Sequence, residues 1–223
     1  MASLPLRDVI QVVVRAAVPV AGVLFLGWSA GNLLFVYFAD VLASIYVVCV
    51  LACGRLFGFE AGEGPAWWRR LWLGVQLGMT ALVPWIVIAV PLGVTLVIVL
   101  ARVDFDRAAA LHDRHLWLAV AAQFGAAVGL LLRDYRFVLA QPDADFRIRR
   151  AFGLAFLRWA IVVMAGWSVL AALPHYGIVL VAVSSLATIA LELYPNRVLR
   201  AFHAPDLAAP PEARAPVVAR SRR

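Results

Sequence analysis

Gly31 to Cys53 reads GNLLFVYFADVLASIYVVCVLAC, a stretch long and apolar enough to cross a bilayer as a helix, with one carboxylate, Asp40, near its middle. A crossing needs about 20 mostly apolar residues. An ionisable group at that depth costs several kcal/mol unless it is paired, hydrated or protonated. The fold therefore has to supply something for Asp40.

The composition supplies the frame. The chain has 223 residues, of which 64% are hydrophobic and 15% charged, and its mean hydropathy is +0.89. A soluble domain of this length could not bury so much apolar surface, so the expected class is all-α, a polytopic membrane helix bundle. Five further apolar segments accompany the opening stretch, giving expected spans at 9–28, 31–53, 71–100, 116–132, 151–173 and 178–193. The first is read as a retained helix, because Trp28 occupies a place where signal cleavage wants a small residue. Ser29, in the tight connection GWSAGN, is a candidate cap for the second helix. The third segment is about 30 residues long with Pro84 and Pro91 inside it, and is expected to be one tilted or kinked helix. The sixth helix is open to continuation past Pro195. Residues 203–223, mostly Ala, Pro and Arg, have a composition that favours a disordered tail.

All 20 basic residues are Arg. With six spans and the N-terminus inside, fifteen of them fall on the inner side and only Arg102, Arg107 and Arg114 on the outer side. The positive-inside rule then favours the cytoplasmic (inner) membrane with both termini in the cytoplasm, and a basic face toward anionic lipid. The net charge of +7 is explained by that placement, which argues against a nucleic-acid partner. Cys49 and Cys53, four apart with no His beside them, read as small packing residues, and no cofactor is expected.

The polar residues inside the apolar segments form the candidate site. Tyr37, Asp40 and Ser44 share one helix face by the three and four spacing. Arg15 and Arg158 enter from the inner side and are candidate partners for Asp40, and Glu192 is a second acid within reach of Arg158. Three readings follow: a structural pairing that fixes helix packing, a proton or ion path in a small transporter or channel subunit in which Asp40 titrates, and an intramembrane active site. No nucleophile and base pair, nucleophile elbow or phosphate loop supports the last. Gly74 with Gly78, and Gly125 with Gly129, have the spacing that allows close helix approach, to a neighbour, a membrane-protein partner or a second copy. In the outer connection, Asp104, Asp106, His112, Asp113 and His115 are weak candidates for a metal, set against the simpler reading of helix-capping acids in a solvated loop.

Three stretches resemble an uncharacterised bacterial family of multi-span membrane proteins, a domain of unknown function. GWSAGNLLFVYFADVLASIY resembles the family's opening helix pair, whose second span carries an aromatic-plus-acid motif; Tyr37, Phe38, Ala39 and Asp40 stand there. LRWAIVVMAGWSVL, with Arg158, is similar to its penultimate span, and LELYPNRVLRAF to its last helix. The resemblance implies the span plan and Asp40 as the family's acid position. The family places His in its third and fifth spans and this chain has none there, so no metal or redox role is implied.

Overall fold

The computed structural model describes residues 17–57, 67–101, 105–139, 141, 143–167 and 176–202. Arg15, Asp104, the beginning of the first expected span, the end of the fifth and the tail from 203 lie outside the described residues. The described chain is all-helical, with no strand. The helices are α1 (Ala17–Leu26), α2 (Ala30–Leu56), α3 (Trp67–Leu100), α4 (Arg107–His112), α5 (Arg114–Leu139), α6 (Ala144–Trp167), α7 (Tyr176–Leu193) and α8 (Pro195–Ala201). Two of them are long and apolar enough to cross a membrane, α2 and the Gly74–Leu100 part of α3, and a third if α7 and α8 count as one bent span.

The chain enters α2 through a sharp local turn. Gly27 takes φ 63°, a left-handed conformation that costs a side-chain-bearing residue about 1–2 kcal/mol. The turn folds Trp28 back so that its amide donates to the Gly22 carbonyl at 3.1 Å, and its indole lies over Gly22, where a Cβ would come within 2.0 Å of the ring. Ser29 then caps α2, its hydroxyl accepting from the Asn32 amide at 3.2 Å.

α2 is the central helix. It packs against α3, α5 and α6, and less extensively against α7. Its buried side chains, among them Leu33, Leu34, Val36, Val41, Ile45 and Val50, point in every direction around the axis, as expected of a helix enclosed by others. Against α3, the Trp85 indole donates to the Leu42 carbonyl at 2.9 Å and packs edge-on to Tyr46 at 6.0 Å. Against α5, Phe35 meets Trp117 edge-on at 5.7 Å, and against α6, Phe38 meets Trp159 at 5.2 Å.

α3 is one helix of 34 residues through both prolines, about 51 Å long at 1.5 Å per residue, well beyond a perpendicular crossing. Of its most apolar stretch only 17% is buried within the molecule, against 67% for α2. Leu77, Ala81, Leu92, Leu96 and Val99 face inward. Trp72, Val75, Met79, Val83, Ile86, Val90, Val94 and Val97 form a continuous exposed stripe at three and four spacing. Such a stripe is unfavourable in water and suits a hydrocarbon environment.

Three expectations change in detail. α5 and α6 extend into the basic segment 133–150, which is helical on both sides of a break near Gln141 and Asp143, where the Asp143–Arg147 ion pair at 2.9 Å supports the first turn of α6. The last helix does resume after Pro195, but turned by 110°, because proline cannot donate into the preceding helix and its fixed φ suits a new first turn. The glycine pairs are little used among the described residues: Gly78 takes the Tyr46 hydroxyl against its carbonyl at 3.3 Å, whereas Gly74, Gly125 and Gly129 have no described atom within 4 Å of where a Cβ would stand.

Candidate functional site

Asp40 is the tenth residue after the start of α2, about 15 Å along it. It is 6% exposed, as is Arg158 on α6. Nη1 of Arg158 donates to Oδ2 of Asp40 at 2.7 Å, and Nη2 of the same guanidinium donates to Oε1 of Glu192 on α7 at 2.5 Å. One cation thus joins three helices through two carboxylates. Both contacts are short, as expected for charge-assisted bonds, and the planar guanidinium suits two acceptors at once. Nε of Arg158 is also buried and has no hydrogen-bond partner among the described residues.

The two ends of this bridge differ in surroundings. The side chains of Arg158 and Asp40 are each 8% exposed, while that of Glu192 is 21% exposed. The difference comes from a cleft of about 310 Å³ walled by Ser44, Val47 and Val48 of α2, Ala127 of α5, Ala151, Leu154, Ala155 and Arg158 of α6, and Leu191, Glu192 and Pro195 around the α7–α8 break. Asp40 does not line it. At the same end of the bundle, an exposed contact of Arg55 with Asp145 at 3.3 Å ties α2 to α6.

The other two residues on the Asp40 face have separate roles. Tyr37 reaches α7, where its hydroxyl shares a buried hydrogen bond of 3.2 Å with Ser185. Ser44 donates to the main-chain carbonyl of Asp40 at 2.9 Å, the back-bonding common for hydroxyls inside helices. Arg15, the other cation expected near Asp40, is outside the described residues.

Sequence reasoning named Glu192 on α7 but missed the hydroxyls beside it. Ser184, Ser185 and Thr188 are buried polar residues of that helix. Ser185, Thr188 and Glu192 stand three and four residues apart and so share a face, the signal that grouped Tyr37, Asp40 and Ser44 on α2. A hydroxyl in an apolar helix is unremarkable alone; the run ending in an acid is the informative feature.

Asp106 and Asp113 act as caps. The Asp106 carboxylate accepts from the amides of Ala108 and Ala109 at 2.9 and 3.0 Å, starting α4. Asp113 accepts from His115 and Leu116 at 2.9 and 3.2 Å, starting α5. His112 directs Nδ1 to its own helix, at the Ala108 carbonyl, 2.8 Å away. Among the described residues no three of His, Cys, Asp and Glu come together as a metal site. Cys49 and Cys53 are buried free thiols in the core.

Comparison of the chain with protein-family models, with curated proteins and with solved structures gave no match, so the geometry of the Asp40–Arg158–Glu192 bridge is what bears on its role.

Proposed function

We propose that this is a non-enzymatic integral protein of the cytoplasmic membrane, with six spans and both termini inside, whose helices are held in register by the Asp40–Arg158–Glu192 bridge. The observation that carries the reading is the buried guanidinium of Arg158 joining α2, α6 and α7. Removing one member of a buried ionic set leaves an uncompensated charge, so such a set specifies one arrangement of helices over its alternatives. The resemblance of the Tyr37–Asp40 stretch to an aromatic-plus-acid motif in a second span supports the same plan. The short α8 fits the inner surface: Leu199 is buried, Arg200 is exposed, and Arg197 stacks over Tyr194 at 5.6 Å. Reporter fusions at the C-terminus test the topology, and an external tail would sink it. Asp40→Asn tests the role: loss of folded protein supports the packing function.

A second reading, a small transporter or channel subunit with a proton or ion path through Asp40, is favoured by the cleft that reaches Arg158 and Glu192. Normal folding of Asp40→Asn with loss of ion flux would support it. An assembly role with another membrane protein or a second copy is supported by the open small-residue face of α5 at Gly125 and Gly129, and would show as a stoichiometric co-purifying chain.

A further inference from the structure

We propose that the cleft between α2, α5, α6 and α7 is a one-sided aqueous inlet, which brings water to the Arg158–Glu192 pair and stops before Asp40. The inlet stands on geometry; that the species it delivers is a proton rests on the ion-path reading above, with Glu192 instead of Asp40 as the carboxylate reached from this side.

Its course follows α6. Ala151, Leu154, Ala155 and Arg158 recur at three and four spacing along one wall, and Ala151 to Arg158 spans about 10 Å. The open end lies beside Ala151 and Pro195, where the 110° break turns α8 away from the axis of α7. The inner end is Arg158 itself. Its guanidinium separates Glu192, partly exposed, from Asp40, which is buried and does not line the cleft.

The walls are mostly apolar, and it is the polar cluster at the Arg158 end that calls for water at this depth. A volume of about 310 Å³ has room for several waters, and a hydrated site also needs polar partners. Arg158, Glu192 and Ser44 supply them at the inner end. An acyl chain in the same space would leave the Arg158–Glu192 pair against hydrocarbon, the costly state for ionised groups. On the Asp40 side the neighbours are different: Tyr37 and Ser185 satisfy each other in the buried interior.

Thiol accessibility tests the inlet in the full chain, reconstituted in sealed vesicles, with Cys49→Ala and Cys53→Ala removing the native thiols. The probe is a membrane-impermeant methanethiosulfonate carrying a quaternary ammonium. Single cysteines are Ala151→Cys and Ala155→Cys in the cleft, Ala127→Cys on its opposite wall, Ser185→Cys beyond the barrier, Asp145→Cys at the near end and Leu111→Cys at the far end. The cleft cysteines are expected to react from the side that labels Asp145→Cys, within about tenfold of its rate, while Ser185→Cys reacts at least about a hundredfold slower, through local opening only. Cleft cysteines as slow as Ser185→Cys, with Asp145→Cys reactive, would overturn the inlet. A Ser185→Cys as fast as Ala155→Cys would overturn the barrier at Arg158. Should Ala155→Cys fail to fold, Ala127→Cys gives the same reading from α5. Reaction of Leu111→Cys from the same side as Asp145→Cys would overturn the membrane frame and the one-sidedness together. For the proton, a water-soluble carbodiimide supplied from the inlet side is expected to modify Glu192 and not Asp40, as read by peptide mass. Modification of Asp40 with Glu192 untouched would overturn the assignment of Glu192 while leaving the cysteine result to stand.

Discussion

Arg158 holds Asp40 at 2.7 Å with one guanidinium nitrogen and Glu192 with the other, so that residues 118 and 34 positions away in sequence share one cation. Arg158→Met removes that cation from between the buried Asp40 carboxylate and the partly exposed Glu192 carboxylate. The cost is expected to be about 3–5 kcal/mol of stability. The triple variant Asp40→Asn, Arg158→Met, Glu192→Gln removes the charges together and is expected to recover most of the loss. Denaturant unfolding in detergent, followed by tryptophan fluorescence, measures both. A single variant as stable as the parent would show that the bridge contributes nothing.

Tyr37→Phe deletes the hydroxyl that meets Ser185 and is expected to cost about 0.5–1.5 kcal/mol, toward the lower end for a bond within a membrane bundle. Ser185→Ala should cost a similar amount. If the two residues interact mainly with each other, the double variant costs less than the two single losses added together. Full additivity in the same unfolding assay would argue against a shared bond.

Two glycines separate local necessity from open surface. Gly22→Ala places a methyl group into the Trp28 indole, and overpacking of this kind costs about 1–3 kcal/mol. Gly125→Ala meets nothing among the described residues and is expected to gain up to about 1 kcal/mol from helix propensity. Melting temperatures in detergent compare them. Loss of oligomer or partner on Gly125→Ala, with the chain itself no less stable, would instead identify that face as a docking surface.

Asp113→Ala removes the acceptor for two amides at the start of α5 and is expected to cost about 1 kcal/mol, the usual value of an N-cap. Asp113→Asn, which keeps an acceptor, should cost little. Zinc added to the purified protein is expected to give no heat of binding by titration calorimetry; a saturable heat lost in His112→Ala and His115→Ala would return the connection between α3 and α5 to the metal reading.

Some features are legible in the sequence alone. The apolar runs, the Ser29 cap and the helix-capping Asp113 follow from periodicity and local hydrogen-bond needs, which involve only residues near in sequence. The acid at position 40 announced that something had to meet it. Arg158 and Glu192 could be named as candidates because few charged residues occur inside the apolar segments. The α7 hydroxyls carry little signal singly, since Ser and Thr occur in apolar helices for many reasons.

The sequence by itself determined the helices, the place of an acid within the second of them and the asymmetric distribution of arginine. Each rests on composition and short spacing. Only the tertiary structure decided that Asp40, Arg158 and Glu192 meet on one guanidinium, that Tyr37 turns instead to Ser185, and that a cleft stops at Arg158. Those facts depend on how α2, α6 and α7 are rotated against one another, and rotation is set by packing between residues far apart in the chain. Spacing on one helix says which residues share a face; it does not say which face of another helix lies opposite.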